Sequence, residues 1–101
     1  MNIPFKDYWR ERMLSGQKTC TSRTKRYGYA GDRFNCFGHV FELTEVSTRF
    51  LSEVSSYLYT QEGCASPEEF ITIWNSLHPI KGFEPAQRVF VHWFKLVEEI
   101  A

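Results

Sequence analysis

Four cations fall within nine residues of this chain: Lys18, Arg23, Lys25 and Arg26. Thr19, Thr21, Ser22 and Thr24 are interleaved with them. Cations and hydroxyls on one extended segment form a contact surface for phosphate oxygens. The same composition also fits a solvated, half-exposed strand with ordinary surface lysines. Tyr27 and Tyr29 follow directly. Their rings are available to stack on a nucleobase, since every base offers a π-face, and equally to cover one end of a barrel. The histidines His39, His78 and His92 are scattered, with no CxxC or HxxxH pair, so no metal and no cofactor are expected. Cys20, Cys36 and Cys64 are odd in number and widely spaced, which argues for free thiols in a reducing, cytoplasmic compartment.

These groups need elements to hold them. Thr19 to Thr24 is richer in strand formers than in helix formers, so it reads as a strand. Alternation then puts Lys18, Ser22 and Thr24 on one face and Thr19, Thr21 and Arg23 on the other. A helix is expected before it, opened by Pro4 and closed by Gly16, with Phe5, Tyr8, Trp9 and Met13 at helical spacing. After the loop RYGYAGD, Arg33 to Phe37 reads as a strand. A Gly38-His39 turn then leads to a partner strand over Val40 to Val46. Leu51 to Tyr59 carries Leu51, Val54 and Leu58 at helical spacing. Ser66, Pro67 and Glu69 form a capping box ahead of an apolar face of Phe70, Ile71, Trp74 and Leu77. Arg88 to Val97 is apolar on both faces and should be a central strand. Trp9, Trp74 and His92 read as core side chains.

A chain of 101 residues forms one domain, taken here as 1–101, and its 43% hydrophobic content is enough for a core without staples. Net charge is zero but divided: seven cations face two acids between Arg10 and Arg33, a net of +5, while from Glu42 onward four cations face nine glutamates, a net of −5. The basic half can serve an anionic partner, or the two halves can attract each other across one fold. The opening MNIPFKDYWRER has no apolar run, so no secretory leader is expected, and no stretch is long enough to span a membrane. Helix, strands, helices and a last strand indicate an α+β fold: a small, mostly antiparallel β-barrel with helices packed outside.

The motif G-x-K-T-x-T-x-R, met by Gly16, Lys18, Thr19, Thr21 and Arg23, followed by Gly31-Asp32, resembles the ASCH domain. The QEG, SPEEF and LHP segments and a V-x-V-x-x-F last strand extend the resemblance over nearly the whole chain. It implies a PUA-like barrel of five or six strands, with a cleft beside the first helix and the basic strand. It also implies RNA-linked roles. Relatives of this type include amidohydrolases that deacetylate N4-acetylcytidine. There the lysine is the proposed general base, the second threonine the nucleophile and a later glutamate the proton donor. Carried over, these are Lys18, Thr21 and Glu62. A threonine hydroxyl is a weak nucleophile until a base takes its proton, and a lysine can take it only as the neutral amine. That amidohydrolase branch has an apolar residue in place of Ser22.

The expected function is therefore a hydrolase of N-acylated pyrimidine nucleosides such as N4-acetylcytidine. The alternatives are a noncatalytic module for single-stranded RNA, a ribonuclease, or a protein-interaction domain. RNA or a modified nucleoside is the expected partner, with Lys18, Arg23, Lys25, Arg26 and Tyr27 as binding residues. The parity of the basic strand separates Lys18 from Thr21 and opposes the enzyme, unless the strand starts after Lys18 or is bulged there.

Overall fold

A computed structural model describes residues 1–97; the last four residues of the expected 1–101 domain lie outside them. Four antiparallel strands form one sheet in the order β1-β4-β3-β2: β1 is Cys20–Arg23, β2 Arg33–Cys36, β3 His39–Phe50 and β4 Arg88–Val97. The sheet curls into a half-barrel with three helices outside it: α1 (Arg10–Leu14), α2 (Leu51–Tyr57) and α3 (Pro67–Leu77). Four paired strands stand where the resemblance implies five or six. The β3–β4 register shifts between Leu43 and Glu45, an irregularity of the kind that increases twist.

The basic segment is a strand and the last strand is central, between β1 and β3. Val89, Val91 and Phe94 of β4 are buried with Phe34, Phe41 and Leu43. Phe34, Phe41 and Phe94 make edge and stacked ring contacts, with centroids 5.5 to 6.0 Å apart. Phe5 joins them, 6.1 Å from Phe34.

Several expected boundaries move. The first helix does not begin at Pro4: a 3-10 turn over Asp7–Trp9 leads into α1. Trp9 and Met13 face the core, whereas Tyr8 is 51% exposed. The shorter helix cannot carry four apolar positions on one stripe. The hairpin turn is Phe37-Gly38 rather than Gly38-His39. Both residues have positive φ, 53° and 80°, so the mirror-image turn that matches strand twist takes its glycine second. The partner strand is correspondingly long, continuing past Val46 to Phe50. The second helix ends at Tyr57. Ser66 does cap α3, accepting from the Glu69 N–H at 3.1 Å. The Glu69 carboxylate turns instead to the Ala65 N–H and to Arg12, each at 3.1 Å.

His92 is fully buried and stitches the loop after β1 to the sheet. Its Nε2 accepts from the Tyr27 N–H at 3.0 Å, and its Nδ1 lies 3.3 Å from the Thr21 carbonyl oxygen. That pattern fits the neutral ring, with Nδ1 donating. Burial lowers the His92 pKa from its ordinary value, and the positive charges of Arg23 and Arg26 add to this. The unfolded chain therefore binds the proton more readily than the fold does. This contribution is complete above the unfolded value near 6.5 and is lost as pH falls below it. Denaturant titrations between pH 7.5 and pH 5 should show stability falling with acid, and the His92→Gln variant should flatten that slope. An unchanged slope would remove His92 as its source.

Candidate active site

Lys18 precedes β1 and is placed by backbone bonds on both sides. Its N–H donates to the Arg12 carbonyl at 2.7 Å, and the Thr19 and Cys20 N–H groups donate to Gln61 at 2.8 and 3.1 Å. Lys18 and Glu62 thereby face each other as an isolated antiparallel bridge. Glu62 follows α2 in a tight turn closed by Glu62 N–H to Leu58 at 2.9 Å and Cys64 N–H to Tyr59 at 2.9 Å. Gly63 turns the chain there with φ +88°. Arg12 fastens this turn from outside, donating to the Gly63 carbonyl at 3.0 Å.

The result is a buried ion pair. Lys18 Nζ lies 3.1 Å from Glu62 Oε1, with side chains 2% and 5% exposed. Lys18 also donates to the Glu62 carbonyl at 2.9 Å and sits 4.1 Å from the centre of the Trp9 ring. The second carboxylate oxygen accepts from the Ser22 hydroxyl at 2.6 Å. Such short distances mark a charge-assisted O–H···O⁻ bond. Thr21 has a different partner: its hydroxyl accepts from Arg23 Nε at 3.1 Å. Arg23 is anchored by its bond to the Pro4 carbonyl at 2.7 Å and lies over the Phe5 ring at 4.8 Å. Burial pulls its pKa below the ordinary guanidinium value. Among the described residues it has no carboxylate at ion-pair distance.

Lys18, Thr21, Ser22, Arg23 and Glu62 all line one small cavity of about 60 Å³, walled by Trp9 and by Phe70 and Trp74 of α3. A wider cleft of about 410 Å³ adjoins it, with Phe5, Lys6, Thr24 and Tyr27 on its sides. Trp9, Arg23, Leu77 and His78 border both spaces. The parity objection is met only in part: Lys18 and Thr21 line one cavity, but Thr21 bonds to Arg23 and not to Lys18. The strand starts at Cys20, after Lys18, yet the alternation carries back to the lysine. Lys18 and Ser22 do share a side, as alternation predicts, and both reach Glu62.

Of the other expected binding residues, Tyr27 is half-buried in the cleft wall, while Lys25 and Arg26 are exposed outside it. Lys25 lies 5.0 Å from the Tyr27 ring and Arg26 4.6 Å from the Tyr29 ring. Cys20 and Cys64 flank the pair but offer no thiolate. Burial pushes Cys20 far up and Cys64 up to about 11, and the charge of Glu62 adds to both. Among the described residues no three His, Cys, Asp or Glu side chains gather as a metal site, and no helix is long and apolar enough to cross a membrane.

Sequence reasoning missed three contributors. Ser22 enters it as one of the interleaved hydroxyls on the face of Lys18 and as a departure from the amidohydrolase pattern, but not as a site residue, although its parity with Lys18 was a usable signal. Gly63 appears only inside the QEG segment. Trp74 reads as core, and it is buried, yet it also forms a cavity wall, and its indole N–H has no hydrogen-bond partner among the described residues.

No protein-family model matches the sequence, and neither does any curated protein. Solved structures do match the fold. A protein of Enterococcus faecalis V583, described as DUF984, superposes with a TM-score of 0.65 at 21% identity over 86% of this chain and 68% of its own. An ASCH domain from Lactobacillus crispatus JV V101 superposes with a TM-score of 0.62 at 16% identity over 93% of this chain and 76% of its own. The chain has the ASCH fold.

Proposed function

We propose that this ASCH-fold chain hydrolyses the amide of an N-acylated pyrimidine nucleoside, of which N4-acetylcytidine is the simplest. One observation carries the reading: a buried Lys18–Glu62 ion pair lining a small cavity that shares its Trp9, Arg23, Leu77 and His78 walls with an aromatic-walled cleft. Burying two charges costs more than a core needs, and amide hydrolysis uses an acid and a base held that way. The cleft suits a nucleoside. Phe5, Trp9 and Tyr27 give it aromatic walls, with Tyr27 the half-buried ring a base could meet, and Arg23 with Lys6 faces any phosphate. The inner cavity, about 60 Å³, is small enough to suit an acyl group.

In the roles implied by the resemblance, neutral Lys18 takes the Thr21 proton, Thr21 attacks the acyl carbon and Glu62 protonates the leaving amine. The ion pair reaches that state when one proton crosses the 3.1 Å contact from Nζ to Oε1. Arg23, already donating to Thr21, is a candidate for the oxyanion, a role typically worth about 2.7–4 kcal/mol.

The test is chromatography of purified protein with N4-acetylcytidine, free and within a short single-stranded RNA. Release of cytidine is expected, lost in Lys18→Ala. Replacing acetyl by benzoyl should lower kcat/KM by at least about 10-fold, the low end of what a single surplus methylene costs, because the ring exceeds the inner cavity of about 60 Å³. A benzoyl substrate turned over as fast as the acetyl one would remove the acyl-cavity assignment.

A second reading, RNA binding without chemistry, is favoured by the exposed Lys25 and Arg26 beside Tyr27 and Tyr29. It predicts no deacetylation, together with RNA affinity that falls with salt.

A further inference from the structure

The geometry points to Ser22, rather than Thr21, as the nucleophile of this site, with Glu62 as its general base and the Lys18 ammonium as the acid. The assignment rests on the amide-hydrolase reading above and changes who does what within it. A nucleophile and its base belong within about 2.6–3.2 Å, with a third group orienting the base. Ser22 Oγ is 2.6 Å from Glu62 Oε2 and opens onto the inner cavity. Glu62 is oriented by Lys18 on its other oxygen at 3.1 Å. Lys18 is itself fixed by the Glu62 carbonyl at 2.9 Å and by the Trp9 ring. Thr21 lacks this arrangement. Its hydroxyl accepts from Arg23, and the hydrogen bonds of the Lys18 amine go to Glu62 and not to it.

The resting charges already suit these roles, with no preliminary proton transfer. Ser22 gives its hydroxyl proton to Glu62 Oε2 as its Oγ bonds to the acyl carbon, and the carbonyl electron pair moves onto oxygen. When the carbonyl re-forms, the C–N bond breaks and the amine nitrogen takes a proton from Lys18 Nζ. The proton held by Glu62 then passes to Lys18, restoring the ion pair. Water attacks the Ser22 ester, its proton going to Glu62. The expelled Ser22 oxygen recovers that proton, and the acyl group leaves as the carboxylic acid.

The experiment reads the adduct directly. Protein treated with p-nitrophenyl acetate and quenched in acid should carry one acetyl group, and fragmentation of the peptide should place it on Ser22. Thr21→Ala should keep the adduct. Ser22→Ala should lose it together with at least about 10³-fold of N4-acetylcytidine turnover. Ser22→Cys should form a thioester at the same position, which separates lost chemistry from lost folding. An adduct on Thr21 or on no β1 hydroxyl, or turnover that survives Ser22→Ala, overturns the assignment. An adduct on Ser22 without any turnover of N4-acetylcytidine leaves the nucleophile standing and sinks the substrate reading instead.

Discussion

Lys18→Met should destabilise the fold by about 3–5 kcal/mol, and adding Glu62→Gln to it should recover most of that loss. The two side chains are 2% and 5% exposed, so each charge depends on the other for what water would otherwise supply. Removing one partner of a buried pair leaves an uncompensated charge, which costs about that much, whereas replacing both with neutral groups is often close to harmless. Glutamine is chosen over leucine because it keeps an acceptor for the Ser22 hydroxyl, and an orphaned buried donor would add about 1–3 kcal/mol. Glu62→Gln alone should also destabilise, since the ammonium keeps only the Glu62 carbonyl and the Trp9 ring. Urea titrations of the three variants close a double-mutant cycle, with an expected coupling of 2 kcal/mol or more by the range ~0.5–3 seen for contacting residues. Additive single losses would falsify the idea that this pair is a coupled buried unit. Turnover should be absent in all three, the double variant included. A recovered fold without recovered activity would show that the charges are kept for chemistry and not for stability.

The strands and the pair's two residues were legible in the sequence to very different degrees. β4 is apolar on both faces and reads as a central strand, and the three threonines and one serine from Thr19 to Thr24 suit a strand better than a helix. The capping serine of α3 announces its first turn. The path of the chain between α2 and α3 has no such periodicity. Glu62 is one of nine glutamates from Glu42 onward, and nothing beside it marks it as buried. What buries it is a contact 44 residues away, through the bridge to Lys18. The charge division was visible and ambiguous, and the fold uses much of it internally. Arg12–Glu69, Lys18–Glu62 and Arg33–Glu42 each join the basic half to the acidic half at 3.1 Å. Lys25 and Arg26 have no such carboxylate among the described residues, so the expected patch shrinks to them and to Arg23 at the cleft. The alternation rule put Lys18 with Ser22 and apart from Thr21, and the bonds to Glu62 follow it although strand pairing starts two residues after the lysine.

Gly63→Ala should damage both stability and catalysis, although Gly63 carries no chemistry. Its φ of +88° disfavours any side chain, which typically costs about 1–2 kcal/mol. A Cβ built there would also lie 2.8 Å from the Lys18 Cβ and 3.4 Å from its Cα. The Lys18 Cβ is tied to backbone that is itself held by the Arg12 and Gln61 carbonyls, so it cannot swing aside as a side-chain tip would. Overpacking of this kind costs about 1–3 kcal/mol more. The displacement falls on the segment that sets the Lys18–Glu62 distance, and a shift of about 1 Å at reacting groups can cost about 10²-fold in rate. Gly16→Ala is the control. Gly16 has nearly the same φ, +81°, but a Cβ there meets nothing within 4 Å. It should lose only the conformational share, about 1–2 kcal/mol, and keep its turnover. Thermal or urea unfolding measures the difference between the two variants, and the deacetylation assay measures its consequence. Equal losses in both, with equal activity, would mean that Lys18 yields freely and that the close approach of Gly63 does not position the pair.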